Sequence, residues 1–108
     1  MFQLTVLYGQ PQDTQAFDSY YAQTHAPLAQ KIPGLKGFIT TKPSSLNPQE
    51  KSPYYLVAML YFDSLQAMQA AFQSPEGQAA ARDVQNFATG GVTMLAGGVQ
   101  VYDPVSLG

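Results

Sequence analysis

The nine residues Tyr54–Phe62, YYLVAMLYF, contain no charged or amide side chain. Read as a strand, they place Tyr55, Val57, Met59 and Tyr61 on one side and Tyr54, Leu56, Ala58, Leu60 and Phe62 on the other. Both sides are then apolar. Periodicity alone also admits a buried helix, but the length and the aromatic content favour a central strand. Helices can cover one face of an antiparallel sheet, and the other ordinarily meets water, so this strand calls for a second cover. A partner sheet is the cheapest one. Composition points the same way, since only 11% of the residues are charged where about a quarter is usual. A face covered by another subunit accommodates that deficit.

The flanking segments give the rest of the domain. Phe2, Leu4, Val6 and Tyr8 alternate with Gln3, Thr5 and Leu7 as a first strand with one well-buried side. Gly9-Gln10-Pro11 breaks it, and Asp13 is placed to cap a helix whose ridge is Phe17, Tyr20, Tyr21, Thr24 and Leu28. Pro27 is expected to end or kink that helix, because it disfavours helical geometry at Ala26 and has no amide of its own. Leu35 to Lys42 reads as a second strand. The stretch Pro43 to Pro53, with three prolines, reads as a loop long enough to rim a cleft.

After the central strand, Asp63 or Ser64 can cap a helix striped by Leu65, Met68, Ala71 and Phe72. Ser74-Pro75 restarts helix, buried through Ala80, Val84 and Phe87, with Ala79–Ala81 allowing close approach to a sheet. Val92 to Tyr102 is the fourth strand, with a bulge or bend expected at Gly97-Gly98. Strand, helix, strand, strand, helix, strand is a two-layer α+β domain, taken as one unit over residues 1–108.

Seven acidic and five basic side chains leave a formal charge of -2 with no basic cluster, which argues against nucleic acid and against an anionic membrane. The absence of cysteine removes disulfides, thiolate nucleophiles and iron-sulfur ligation. MFQLTVLYGQ lacks a positively charged leader and is too short an apolar run to span a bilayer, so a soluble, cytoplasmic protein is expected. One histidine and scattered acids offer no protein-supplied metal site. The Gly90-Gly91 and Gly97-Gly98 pairs lack the setting of a phosphate loop, and no nucleophile elbow is present.

His25 follows Tyr21 by four residues, so the two share one side of a helix. Three readings stand: a satisfied core or helix-end histidine, bonded near the Ala26-Pro27 break; one that touches a ligand; or an exposed, inert ring. In the second, neutral His25 takes a proton from a phenol, an enol or a carbon acid beside a carbonyl. Tyr21 then orients the ligand or donates to developing oxygen charge, where the first reading makes it ordinary packing.

Two stretches, FDSYYAQTHAPLAQKIPGL and YYLVAMLYFDSLQAMQAAFQSPEGQAAARDVQNFA, resemble the EthD family within the dimeric α+β barrel superfamily. The matching positions are Tyr21, His25, Pro27, Leu28, Pro33 and Gly34, then Phe62 and Ser64, then Gly77, Asp83, Asn86 and Phe87. The resemblance implies a ferredoxin-like βαββαβ subunit with a four-stranded antiparallel sheet that pairs with a second subunit's sheet to enclose a barrel-like cavity. It makes His25 the leading catalytic candidate, supported by Tyr21 and Asp83, with Tyr8, Phe38, Tyr55 and Tyr61 as candidate cavity walls. Asp83 would either hold one tautomer of His25 or brace backbone.

The family takes its name from a protein encoded with an ether-degrading oxygenase system, and superfamily relatives include cofactor-free monooxygenases, lactone isomerases and haem-degrading proteins. Haem on His25 is disfavoured here, because few cations are present to meet two propionates. The expected protein is a homodimeric small-molecule enzyme, or an accessory of a catabolic or oxygenase pathway. It needs no cofactor, has monooxygenase-like or isomerase-like chemistry, and takes an apolar oxygenated or aromatic metabolite. The alternative is a non-catalytic ligand-binding or protein-interaction module.

Overall fold

The computed structural model describes residues 1–107. Strands β1 (Phe2–Gly9), β2 (Gly37–Thr41), β3 (Tyr54–Phe62) and β4 (Val92–Gly98) form one antiparallel sheet in the order β2-β3-β1-β4. Helices α1 (Thr14–Tyr20), α2 (Ala26–Gln30), α3 (Leu65–Gln73) and α4 (Pro75–Asp83) fill the connections. The result is the ferredoxin-like α+β architecture. Strand β3 has the bounds that its apolar run predicts, and β2 is shorter than expected by losing Leu35, Lys36 and Lys42.

The alternation along β3 sorts its side chains as anticipated. Leu56, Ala58, Leu60 and Phe62 are buried beneath the helices together with Val6 and Tyr8 of β1, while Val57, Met59 and Tyr61 stay half-buried on the opposite face. Tyr55 departs from the pattern. Tyr8 pairs with Leu56 but Gly9 with Tyr54, so Tyr55 is the extra residue of a bulge. Its ring meets Phe17 edge to face at 5.3 Å, and its hydroxyl donates to Asp18 at 2.9 Å. The irregularity expected at Gly97-Gly98 therefore lies at the far end of the sheet. Those glycines simply finish β4, in register with Gln3 and Phe2.

The capping residues act as read: Asp13 accepts from the Ala16 amide, Ser64 from Ala67 and Ser74 from Gly77. Pro27 does not end its helix. Ala26 keeps right-handed helical geometry, and the residues Tyr21–His25 form a π turn in which the Ala26 amide donates to the Tyr21 carbonyl. A regular turn would drive the Pro27 ring into the carbonyl four residues earlier. The wider turn takes up the proline without a break. Thr24, expected on the buried ridge, is exposed.

Gly77 is buried where α3 and α4 cross, and a Cβ there would run into the Ala71 carbonyl and the Phe72 Cα. Helices α3 and α4 thus approach at backbone distance. All five basic and seven acidic residues lie outside the strands, so neither face of the sheet carries a charge. No helix among the described residues is long and apolar enough to cross a membrane.

Candidate active site

The π turn, α4 and the short 3-10 turn Val84–Asn86 that follows it bring the polar groups of the core together. His25 Nδ1 lies 2.9 Å from Asp83 Oδ2, with both residues buried. Tyr20 donates its hydroxyl to Asp83 Oδ1 at 2.6 Å, and the Asn86 amide donates to the same oxygen at 3.1 Å. Widening the helix by one residue per turn is what lets Tyr20 and His25, five apart, converge on one carboxylate.

The charge states follow from these contacts. Burial works against a charged Asp83, but the bonds from Tyr20, Asn86 and His25 outweigh it and hold the carboxyl below its ordinary range. Burial pulls His25 below its ordinary value of 6.5, with Asp83 offsetting part of the shift. An ionised carboxylate only accepts, so Nδ1 of neutral His25 carries the proton and Nε2 presents its lone pair. No enclosed side-chain nitrogen or oxygen among the described residues lacks a partner, and no hydrogen bond is made by Nε2. Nε2 therefore reaches accessible space.

His25 lines a cavity of about 280 Å³ between the helices and the inner face of the sheet. It is walled by Leu4, Val6, Ala58 and Leu60 from the strands and by Ala29, Ile32, Met68, Phe72, Ala80 and Val84 from the helical side. Tyr8, Tyr21 and His25 are the only lining side chains with a hydrogen-bonding group. Burial pushes both phenols well above their ordinary range, with Tyr21 adding to the shift of Tyr8, so each remains a protonated donor. Phe87 sets the His25 ring from behind, at 4.7 Å between centroids, and also packs on Tyr8, Phe17, Tyr20 and Tyr21.

The site candidates divide by the face of the sheet. His25, Tyr21, Tyr8 and Phe38 line the cavity, and Asp83 stands directly behind His25. Tyr55 and Tyr61 do not line it: the bulge turns Tyr55 onto α1, and strand alternation puts Tyr61 on the outer face beside Gly37. This cavity lies inside one subunit, on the helix side of the sheet. Residues 43–53 contribute nothing to its walls, so that loop does not rim it. Tyr20 and Asn86 were missing from the sequence candidates. The i,i+5 relation of Tyr20 to His25 carries no signal unless a π turn is assumed, whereas Asn86 follows Asp83 by three residues at a helix end, a spacing that could have been read.

The cavity lining holds no cation, so nothing in it would meet two haem propionates. Among the described residues no three His, Cys, Asp or Glu side chains cluster as metal ligands.

A ferredoxin-like α+β domain with a histidine-aspartate pair at the wall of an apolar cavity is the class that fold and site define. The chain belongs to the EthD family, whose domain model matches residues 9–91. It is 50% identical over 95 residues to an uncharacterized 11.0 kDa protein in the thcB-thcC intergenic region of Rhodococcus erythropolis, covering 88% of this chain and 91% of that protein. A crystal structure of an EthD family protein from Bacillus halodurans shares 39% identity at a TM-score of 0.86, covering 93% of this chain and 99% of that one.

The fold alone is shared more widely. A dimeric ferredoxin-like protein of unknown function from Thermobifida fusca matches at 14% identity and a TM-score of 0.67, with 91% and 90% of the two chains covered. A hydroxynitrile lyase from Passiflora edulis matches at 16% identity and 0.69, with 95% and 97% covered.

Proposed function

We propose that this protein is a small-molecule enzyme, working without a cofactor, in which His25 Nε2 removes a proton from an apolar, oxygen-bearing substrate. The observation that carries the proposal is the pairing of His25 Nδ1 with Asp83 at 2.9 Å while Nε2 is left open beside a cavity of about 280 Å³. Asp83 fixes the tautomer, Nε2 takes the proton, and Tyr8 and Tyr21 donate to the oxygen on which charge develops. The O–H or C–H bond electrons remain on the substrate as a phenolate or enolate. Deprotonation of this kind opens both isomerisation and oxygenation of activated substrates. A hydroxynitrile lyase shares the fold, so the scaffold is compatible with an enzyme.

A volume of about 280 Å³ sits at the small end of ligand sites and well above the roughly 150 Å³ that holds benzene. Substrates of one ring, or an aliphatic equivalent, are the expected size. We place the protein in the cytoplasm, which a chain without cysteine suits. Its uncharged outer sheet face supports a homodimer, as does the dimeric protein that shares the fold.

Incubation with enolisable aryl ketones and with phenols tests the reading. Wild-type protein is expected to speed deuterium exchange from solvent into the carbon next to the ketone carbonyl, followed by NMR. His25→Ala should slow that exchange by about 10²- to 10⁴-fold with ligand binding retained. Exchange that persists in His25→Ala removes the histidine as base. Tight binding with no exchange in any ligand establishes the non-catalytic module instead.

A further inference from the structure

The most exposed edge of the apolar cavity lies between α4 and β4. Of its lining residues only Ala81 of α4 and Met94 of β4 are exposed, Met94 by 49%. Both also line an adjoining surface groove, together with Val84, which is common to the two. The cavity therefore opens between α4 and β4 and continues into the groove.

Chemistry changes at that opening. The groove adds Arg82, Gln85, Ala88 and Val92, so an arginine lies outside an entrance whose inner walls hold no cation. Lys31, Lys36, Lys42 and Lys51 line neither space. Among the described residues Arg82 makes no ion pair, whereas its neighbour Asp83 turns inward to His25. Arg82 also lies in the last turn of α4, where a positive charge complements the helix dipole. Lysine would serve that role equally well, while the planar fork of arginine suits a carboxylate or phosphate.

Resting on the proton-transfer reading of the cavity, we infer that Arg82 is a specificity-determining residue and that the substrate is an amphipathic anion. Its apolar part enters past Met94 and Val84 to reach His25, and its acid group remains in the groove on Arg82. An acid group carried inside would lose its hydration with no cation to receive it, which fixes the orientation. The neutral oxygen that reacts and the anionic group that is recognised thus belong to opposite ends of one molecule.

The test compares ω-phenylalkanoic acids of two to five chain carbons with the corresponding ω-phenyl alcohols, by calorimetry and by NMR shifts of the Met94 and Val84 methyls. Wild-type protein is expected to prefer the acid about three- to tenfold at the best chain length, with the preference fading at high salt. Arg82→Gln should abolish the preference and leave alcohol affinity unchanged. Arg82→Lys, which keeps the charge at the helix end, should recover part of it without a change in melting temperature. Equal binding of acids and alcohols, in wild type and Arg82→Gln alike, overturns the arginine subsite and leaves the cavity reading standing. If neither series binds or shifts these methyls, the cavity reading fails and this inference with it.

Discussion

Asp83 holds the site together because three donors from three segments meet on one carboxylate. Removing the charge with Asp83→Asn leaves an amide that must satisfy Tyr20, Asn86 and His25 at once, and the His25 tautomer loses its fixed partner. Turnover should fall by more than about tenfold, with the imidazole ¹⁵N shifts reporting mixed tautomers. Tyr20→Phe should act in the same direction and more weakly, raising the titration of Asp83.

The pH dependence follows from the same contacts. His25 and Asp83 both titrate lower in the folded protein than in the unfolded chain. As pH falls through 6.5, the ordinary histidine value, the unfolded chain takes up a proton that folded His25 refuses, so stability declines. A second decline begins below about 3.9 as unfolded Asp83 protonates before the folded carboxyl does. Thermal melts of His25→Gln should lack the first decline and keep the second. Activity should hold through neutral pH and fall on an acid limb below 6.5, because only neutral Nε2 accepts a proton.

At the scale of elements, the π turn decides the geometry that residue spacing alone could not. Tyr21 and His25, four apart, are neighbours on any helix, and so their shared wall was legible in the sequence. Tyr20 was not, because its convergence with His25 depends on the widened turn that accommodates Pro27. Asp83, 58 residues from His25, emerged only through resemblance to a family. No local pattern encodes a pairing at that range. Strand β3 and the three cap residues were legible because period-two alternation and side-chain capping are local physics. The turn of Tyr55 was hidden by a bulge that rests on pairing with β1.

Close crossing of α3 and α4 gives this scale its own prediction. Gly77→Ala adds a methyl where the Ala71 carbonyl and the Phe72 backbone already stand, and backbone cannot move aside as a side chain would. The higher helix propensity of alanine, worth about 1 kcal/mol, should be outweighed by overpacking of about 1–3 kcal/mol or more. Chemical denaturation should therefore show a net loss of stability. Since Phe72 and Ala80 line the cavity, ligand affinity should weaken as well.

On the scale of the whole molecule, the outer sheet face sets what the subunit does next. Across it run the rows Ile39, Met59, Thr5 and Leu95, then Thr41, Val57, Leu7 and Thr93, without a charge in either. Leu95 is 61% exposed, while Met59 is half-buried by its neighbours alone. A stable interface buries roughly 800 Å² per partner, and this uncharged face is the surface offered to a second copy. Because the catalytic candidates sit on the other side of the sheet, association and ligand binding should separate cleanly.

Met59→Glu makes that separation measurable. In an isolated subunit the new carboxylate remains solvated and the fold persists. In a face-to-face dimer it is buried without a cation in reach, at a cost of about 3–5 kcal/mol, which weakens association by some 10²- to 10⁴-fold. Analytical ultracentrifugation should find a wild-type dimer and a monomeric variant of unchanged circular dichroism. Ligand-induced shifts at Met94 and Val84 should be the same in both. A variant that stays dimeric would place the interface elsewhere, whereas a monomer that no longer binds ligand would mean that the second copy shapes the cavity through the sheet.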